Sequence, residues 1–516
     1  MTPDTFPKKP DPSNALVRNV RTKDPGSKRA AKIGLWLGLL LVLAVFVLNQ
    51  SGNSAAGLEP TALQKPPTTD PLALASKLGV RLAAAARETG GPDGVETIRK
   101  MIGKQIQDQA VSDVDRARGA LLVGEFIGPS EGLARIDALE ADEAFKLRTQ
   151  DGYLYPLAPL VKTELTLFRK VLEATPPVAD ALDDAEEAKL IADHGWIGKL
   201  ALARGLPSTD VSRQAVERGW QRMVIVLSVL GVVVGVGSLG AVGCFIAAFV
   251  LGGIGRLKPR FVRPLPGGSV YIEMLPVFVA GFLLVSLGLP LLLGITLGKP
   301  AAEDLRWKLA AQWLLVPLCF WPLWRGSITW RDFAERLGWD KGRGVFKEIA
   351  CGIGAYLALL PIYAVVVLLT VLAVNIKQTI LSGGLGGGGA SGSAPQLPSN
   401  PILDIIINAS TLELVMFFVL ATCWAPLVEE AVFRGGVYRH LRSRLPVVLC
   451  AAISAILFGA MHGYDPLLLG PVICLGFGFA LVREWRSSLI APMAGHFIHN
   501  AVTLTFVISM LSIIKD

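Results

Sequence analysis

Long runs of apolar residues constrain this sequence more than any other feature. Eight of them follow residue 222, at 223–252, 271–297, 308–324, 348–374, 411–432, 447–462, 466–482 and 488–514. Most are long enough to cross the hydrocarbon of a bilayer as helices. Only 18% of the 516 residues are charged, against about a quarter in soluble proteins. The sequence therefore predicts an all-α, polytopic membrane protein and argues against a cytosolic enzyme, a secreted disulfide scaffold or a nucleic-acid binder.

The N-terminal region predicts a ninth span. Residues 1–32 form a basic cytoplasmic tail with eight Lys or Arg and no hydrophobic period, and residues 33–48 are continuously apolar. We interpret 33–48 as a retained transmembrane anchor. A cleaved signal peptide is the alternative, because small residues follow at 54–56. In both cases the next segment lies outside the cytoplasm.

Residues 51–218 differ in composition from the rest of the chain. They hold 25 acidic and 20 basic residues, with a Pro-rich linker before Ala, Leu and charged residues at helical spacing. This pattern predicts a small extracytoplasmic helical domain that could bind a protein partner. It contains no catalytic motif, and we interpret its single histidine, His194, as a helix-end or surface residue.

The charges of the loops predict the orientation. Lys and Arg concentrate at 256–263, 325–347, 439–444 and 483–486, which places the N-terminus in the cytoplasm and the C-terminus outside. The predicted location is the cell membrane, or the inner membrane in a bacterium. Residues 223–344 hold additional spans and a cytoplasmic interfacial segment, Trp330–Trp339, with its aromatic side chains toward lipid. Residues 345–516 form the core, with a glycine-rich loop at 383–394.

Three polar motifs interrupt the last apolar runs. They are Glu429-Glu430 followed by Arg434, Phe458 followed by His462, and His496 followed by His499 and Asn500. An ionisable group inside the bilayer costs about 2.5–3.5 kcal/mol, so such groups mark function by default. The alternative is that they are isolated polar residues that serve helix packing.

Helix geometry indicates which of these residues cooperate. Glu430 and Arg434 are one turn apart and can pair, whereas Glu429 points about 100° away, toward a cavity. His496 and Asn500 share a face, and His499 lies behind it or at the lipid interface. The helical rise places Glu429, His462, His496 and Asn500 in one layer within the membrane.

This set of residues favours hydrolysis of an amide bond. A carboxylate and a neutral imidazole can hold and activate one water. A second histidine with an asparagine one turn away supplies two donors to a developing oxyanion. No Ser or Cys nucleophile accompanies the histidines, which argues against an acyl-enzyme.

The three motifs, in this order, resemble those of the CPBP family, which includes the CAAX prenyl endopeptidases and the bacteriocin-immunity-type intramembrane proteases. The resemblance covers roughly residues 345–512, and most specifically 425–500. It implies that Glu429 and His462 activate water and that His496 and Asn500 form the oxyanion hole. Glu430, Arg434 and Phe458 have supporting roles. The anchor, the helical domain and the extra spans depart from the family minimum and leave the substrate open.

Metal use and two rival functions stay open at this point. No cofactor is favoured, although Glu429, His462 and His496 could ligate zinc or another divalent metal. They lack the His-Glu-x-x-His spacing of zinc proteases. The expected partners are a membrane-associated peptide or protein substrate and the bilayer, with no nucleic acid. The rivals are a proton-coupled transporter and a catalytically silent scaffold or immunity protein.

Overall fold

The computed structural model describes residues 22–55, 71–89, 91–108, 113–141, 158–381, 405–406 and 409–515. Most of these residues are helical, and the β-type contact among them is an isolated parallel bridge between Lys23 and Leu265. The predicted all-α class is therefore confirmed. The chain divides into two compact units. One, which we call the membrane unit, comprises Met1–Pro60, Gly235–Ile376 and Pro398–Thr505, and the other comprises Thr61–Val234, Lys377–Leu397 and Phe506–Asp516.

The predicted N-terminal anchor corresponds to helix α1 (Lys28–Ala55), which starts before residue 33 because the Ser27 hydroxyl accepts a hydrogen bond from the Ala30 N–H. The residues just before it belong to the predicted tail, yet they pack onto the protein. The buried Asp24 carboxylate accepts hydrogen bonds of 2.6, 3.0 and 3.2 Å from Arg439. The tail therefore ends earlier than residue 32.

The helical domain contains eight α-helices in its described residues. They are α2 (Pro71–Thr89), α3 (Gly91–Asp108), α4 (Asp113–Phe126), α5 (Pro129–Ala141), α6 (Ala158–Glu173), α7 (Asp184–His194), α8 (Trp196–Leu202) and α9 (Val211–Glu217). A capping box between Asp183 and Glu186 starts α7. His194 ends α7, as predicted, but it is buried with its ring 4.9 Å from that of Phe168. Of the two positions predicted for His194, the helix end is therefore confirmed and the surface is not.

The membrane helices follow the helical domain. They and the short helices between them are α10 (Trp220–Gly253), α11 (Met274–Leu297), α12 (Lys299–Glu303), α13 (Leu305–Ala311), α14 (Trp321–Gly326), α15 (Trp330–Leu337), α16 (Val345–Leu381), α17 (Thr411–Arg442), α18 (Val447–Ala460), α19 (Leu469–Arg486) and α20 (Ile490–Lys515). Within the described residues, seven helices are long and apolar enough to cross a membrane: α1, α10, α11, α16, α17, α19 and α20. The chain is a polytopic membrane protein.

Two of the nine predicted spans are not long helices. Helix α18 has 14 residues, and the run at 308–324 is divided between α13, a 3₁₀ segment at Gln312–Phe320 and α14. Pro317 and Pro322 fall inside this run, and proline removes a donor from the helical ladder. The count of nine spans stays a prediction. The predicted loop at 383–394 lies outside the described residues.

Helix α15 is amphipathic, as predicted, but its aromatic residues divide between two environments. Trp330 is exposed, whereas Phe333 is fully buried against Phe320 and Trp339. The expectation that the aromatic side chains face lipid therefore fails for Phe333, which anchors the helix to the membrane unit.

Helices α17 to α20 bring the three polar motifs together. Helix α18 packs along α19 and also against α17, where the buried Ser454 hydroxyl donates to the Phe433 carbonyl at 3.1 Å. Helix α1 packs against α11 so closely that a Cβ atom on Gly38 would lie 2.7 Å from Leu275. Close approach of this kind is typical of helices packed inside membranes.

Candidate active site

The paired carboxylates lie on α17, which is not a regular α-helix. It contains π-helical turns at Leu420–Trp424 and Glu430–Tyr438, with a short α-helical stretch between them. Pro426 in that stretch has no N–H, so the regular hydrogen-bond ladder cannot pass through it. Such π insertions are frequent at functional sites. The 100° offset predicted between Glu429 and Glu430 assumes regular α-helical geometry, which α17 does not keep.

Glu430 is the centre of a fully buried ion cluster. Its Oε1 atom lies 3.1 Å from Arg434 Nη1, and neither side chain is exposed. The same oxygen lies 3.0 Å from Nδ1 of His496. Arg434 also donates through Nη2 to the Gly476 carbonyl at 2.9 Å, and its guanidinium lies 4.4 Å from the Phe458 ring centroid. The predicted pair is present, and Glu430 has a second contact, to His496, that sequence reasoning missed.

His496 connects the two adjacent glutamates. Its Nδ1 atom contacts Glu430, and its Nε2 atom lies 3.9 Å from Oε2 of Glu429. Beside a carboxylate, Nδ1 is the protonated nitrogen and donates. The ring stacks on Phe479 with 5.4 Å between centroids. His496 is therefore held in one orientation, with Nε2 directed toward Glu429.

His462 follows the last turn of α18. Its Nδ1 atom lies 2.8 Å from the Phe458 carbonyl oxygen. A carbonyl oxygen only accepts, so Nδ1 carries the proton and Nε2 of the neutral ring keeps its lone pair. The Phe458 ring contacts both histidines, with centroids 4.7 Å from His462 and 5.9 Å from His496. Coulombic interactions link His462 to Glu429, His496 and Arg434.

Asn500 lies one turn beyond His496 on α20. Its amide nitrogen donates to the Ala421 carbonyl at 2.7 Å, in the first π-helical turn of α17. This contact commits one of the two amide hydrogens and leaves the other available. We call the following set the polar layer: Glu429, Glu430, Arg434, His462, His496 and Asn500.

His499 is directed away from the polar layer, toward α16. Its Nδ1 atom lies 3.3 Å from the Tyr356 hydroxyl, and its ring is 5.4 Å from that of Tyr363. Sequence reasoning missed both tyrosines. The available signal is their spacing, because residues seven apart share one helical face and this pair lies in an otherwise apolar run.

The comparison with protein families adds to this geometry. The family model for Type II CAAX prenyl endopeptidase Rce1-like proteins matches residues 411–502. Residues 411–502 are an Rce1-like domain. The predicted resemblance to the CPBP family is therefore confirmed. The chain matches no curated protein and no solved structure.

The Rce1-like domain contains the whole polar layer. It begins with α17 and ends within α20, so α1 to α16 lie outside the matched range. The family belongs to the CAAX-type intramembrane proteases. Helix α16 nevertheless contributes Tyr356 to the contacts of His499, and the segment before α1 binds Arg439. Regions outside the domain thus pack against it.

The side chains of the Rce1-like domain do not form a ready metal site. Within the part of the chain that the structure describes, no group of three or more His, Cys, Asp or Glu side chains is arranged to hold a metal ion. In the predicted zinc set, His462 and His496 both hydrogen-bond through Nδ1, to the Phe458 carbonyl and to Glu430, so Nε2 is the nitrogen of each ring that remains for other groups. We therefore derive no chemical step through a metal.

Proposed function

We propose that the protein is an intramembrane endopeptidase that hydrolyses a peptide bond in a membrane-associated peptide or protein. The observation that carries this proposal is the position of His496 between Glu430 and Glu429, inside a buried layer of an Rce1-like domain. A buried carboxylate beside oriented imidazoles has the composition that water-activating sites require.

Glu429 is the proposed base that activates water. Its side chain is 17% exposed, and its Oε2 atom has no hydrogen-bond partner among the described residues. His462 Nε2 holds a lone pair that can accept a hydrogen bond from the same water. As the water oxygen bonds to the substrate carbonyl carbon, one of its protons passes to Glu429.

His496 and Asn500 are the proposed oxyanion donors. When Nε2 of His496 carries a proton, it can donate to the oxyanion while Nδ1–H donates to Glu430. The free amide hydrogen of Asn500 supplies the second donor. When the tetrahedral intermediate collapses, the C–N bond breaks, and the proton on Glu429 passes to the leaving nitrogen. Glu429 thus acts first as base and then as acid.

The setting of this reaction is also a proposal. We place the protein in the cell membrane with its N-terminus in the cytoplasm, as the loop charges predict. The helical domain then lies outside the cytoplasm, where it can recruit a protein partner.

The direct test compares peptide termini in membranes from host cells that produce wild-type protein, Glu429→Gln or His462→Ala. New termini are expected only with wild type, and they identify the substrate. The control is Glu303→Gln, which changes a carboxylate that is 63% exposed. This variant should cleave the substrate like wild type. Identical termini in wild type and Glu429→Gln, with the variant folded and complementing a deletion, would support the scaffold instead. Proton-coupled uptake lost in Glu429→Gln would support the transporter.

A further inference from the structure

The carboxyl end of α1 contacts the loop that carries His462. Gln50 Nε2 donates to the Tyr464 carbonyl oxygen at 2.9 Å, across 414 residues of sequence. Helix α1 lies outside the Rce1-like domain, and its other contacts with the membrane unit include α11 and α18. A polar side chain near the end of a predicted anchor thus contacts the backbone two residues beyond a proposed catalytic histidine.

A second contact at the same place comes from Gly463. This residue has φ of +67°, a conformation that favours glycine. A Cβ atom built there would lie 3.1 Å from Nδ2 of Asn49, which is tighter than an ordinary contact. The backbone therefore turns sharply against the end of α1 immediately after His462. Gln50 binds Tyr464, and Asn49 lies against Gly463, the preceding residue of this turn.

The turn determines where the His462 ring can lie. Helix α18 ends at Ala460, so the backbone of His462 is no longer supported by a regular helix. Its ring is fixed on one side by the Phe458 carbonyl and contacts the Tyr464 ring at 5.8 Å. A displacement of residues 463–464 would move the Nε2 atom relative to Glu429.

We propose that the carboxyl end of α1, through Gln50 and Asn49, positions His462 for catalysis. This inference rests on the proposed function. Gln50 and Asn49 are positioning residues, because they act through the loop and touch no reacting atom. The inference requires that α1 remains part of the mature protein and is not removed as a signal peptide. An error of about 1 Å in the position of a catalytic group can cost about 10²-fold in rate.

The test uses the full-length protein in lipid nanodiscs with three variants. Gln50→Glu keeps the shape of the side chain but removes the N–H that donates to Tyr464. Gly463→Ala adds a Cβ atom against Asn49. Val47→Ala is the control, because Val47 is on the same helix, is 51% exposed and leaves the loop contact intact. The first readout is hydrogen exchange of the backbone amides at 461–468, which is independent of proteolysis.

We expect faster exchange in Gln50→Glu and Gly463→Ala than in wild type and Val47→Ala. The second readout is cleavage of the substrate found with wild type. We expect kcat to fall between about tenfold and 10²-fold with KM unchanged, because the substrate still binds while the water is misplaced.

Unchanged exchange in both variants would overturn the inference whatever happens to cleavage. Faster exchange with wild-type kcat would also overturn it, because the loop would then move without effect on His462. Failure of the proposed function has a different signature. Wild type and Glu429→Gln would give identical termini, while the exchange of 461–468 would still distinguish Gln50→Glu from Val47→Ala.

Discussion

Two groups of buried charges in the membrane unit differ in how many of their carboxylate oxygens accept hydrogen bonds from the protein. At what we call the ion-paired end, each carboxylate accepts hydrogen bonds from two nitrogens of the same arginine, and Asp24 also accepts one from Arg336. The pairs are Asp24 with Arg439, Glu348 with Arg486 and Glu484 with Arg442. In the polar layer, by contrast, Oε2 of Glu429 and Oε2 of Glu430 have no hydrogen-bond partner among the described residues.

This difference distinguishes carboxylates that stabilise the fold from carboxylates that can take part in a reaction. Bidentate arginine–carboxylate pairs satisfy both oxygens and leave nothing to bind a substrate or water. Buried polar atoms without partners are uncommon in folded proteins, and each needs an explanation. A water and a peptide carbonyl that occupy the polar layer during the reaction supply that explanation. The comparison predicts that substitutions at the ion-paired end cost stability, and that substitutions in the polar layer cost activity.

The largest expected effect on stability is at Glu348, whose carboxylate is fully buried against Arg486. Glu348→Gln leaves the arginine buried without a charged partner. Removing one member of a buried pair costs about 3–5 kcal/mol. Thermal unfolding in nanodiscs should show this loss, with cleavage by the folded fraction retained. Glu303→Gln, in an exposed pair with Lys299, should unfold like wild type. Similar unfolding of the two variants would contradict the structural role of the ion-paired end.

Glu430→Gln tests the polar layer, where the comparison predicts a loss of activity. The substitution keeps the shape of the side chain but replaces the carboxylate to which Nδ1–H of His496 donates with a neutral amide. We expect kcat to fall by about 10²-fold or more with little change in KM, by analogy with the loss of the orienting carboxylate in a catalytic triad. Steady-state kinetics on the identified substrate measure this. A wild-type kcat would show that Glu430 has no part in orienting His496.

The helical domain contains a different kind of buried ionisable group, His194, which makes stability depend on pH. Burial and the nearby Arg118 lower the pKa of His194 to about 4, from 6.5. Below pH 6.5 the unfolded chain therefore binds more protons than the folded one, and stability falls as the pH falls toward 4. The expected loss is about 2 kcal/mol between pH 7 and pH 5. Hydrogen exchange of α7 in the full-length protein should quantify it.

A variant without the titrating ring isolates this effect. Burial raises the pKa of the neighbouring Glu164, which acts with the opposite sign, so the wild-type profile alone combines both groups. In His194→Gln the loss between pH 7 and pH 5 should disappear. A profile unchanged by His194→Gln would assign the pH dependence to other groups.

The smallest expected effect defines the boundary of the polar layer. Tyr356→Phe removes the hydroxyl that contacts His499 at 3.3 Å. The loss of one such hydrogen bond costs about 1 kcal/mol of stability. Cleavage should stay within about twofold of wild type, because ~0.4 kcal/mol at the barrier corresponds to that factor. A much larger loss of kcat would extend the polar layer to His499 and α16.

Much of this architecture follows from local patterns in the sequence. Apolar runs identify α1, α10, α11, α16, α17, α19 and α20 as helices that can cross a membrane. The spacing of Glu430 and Arg434 predicts their ion pair, and the order of the motifs predicts the Rce1-like domain. These features depend on residues close in sequence or on the cost of charge in lipid, so periodicity and composition are enough.

Other features could not be predicted because they depend on distant partners. The contact of Asp24 with Arg439 joins residues 415 positions apart, and that of Gln50 with Tyr464 joins residues 414 apart. The π-helical turns of α17 arise where Pro426 interrupts an apolar run, and hydropathy does not distinguish them from a regular helix. The contact of His496 with Glu430 depends on how α20 packs on α17, which no spacing within one helix reveals.

The role of Glu429 is the central claim, and one measurement tests it most directly. It is the cleavage of the identified substrate by purified Glu429→Gln protein whose unfolding temperature is measured in the same nanodiscs. We predict no detectable cleavage, with an unfolding temperature close to that of wild type, because Oε2 of Glu429 makes no hydrogen bond among the described residues that the substitution would remove. Wild-type cleavage by the folded variant would contradict the assignment of Glu429 as the base and, with it, the reactive role of the polar layer.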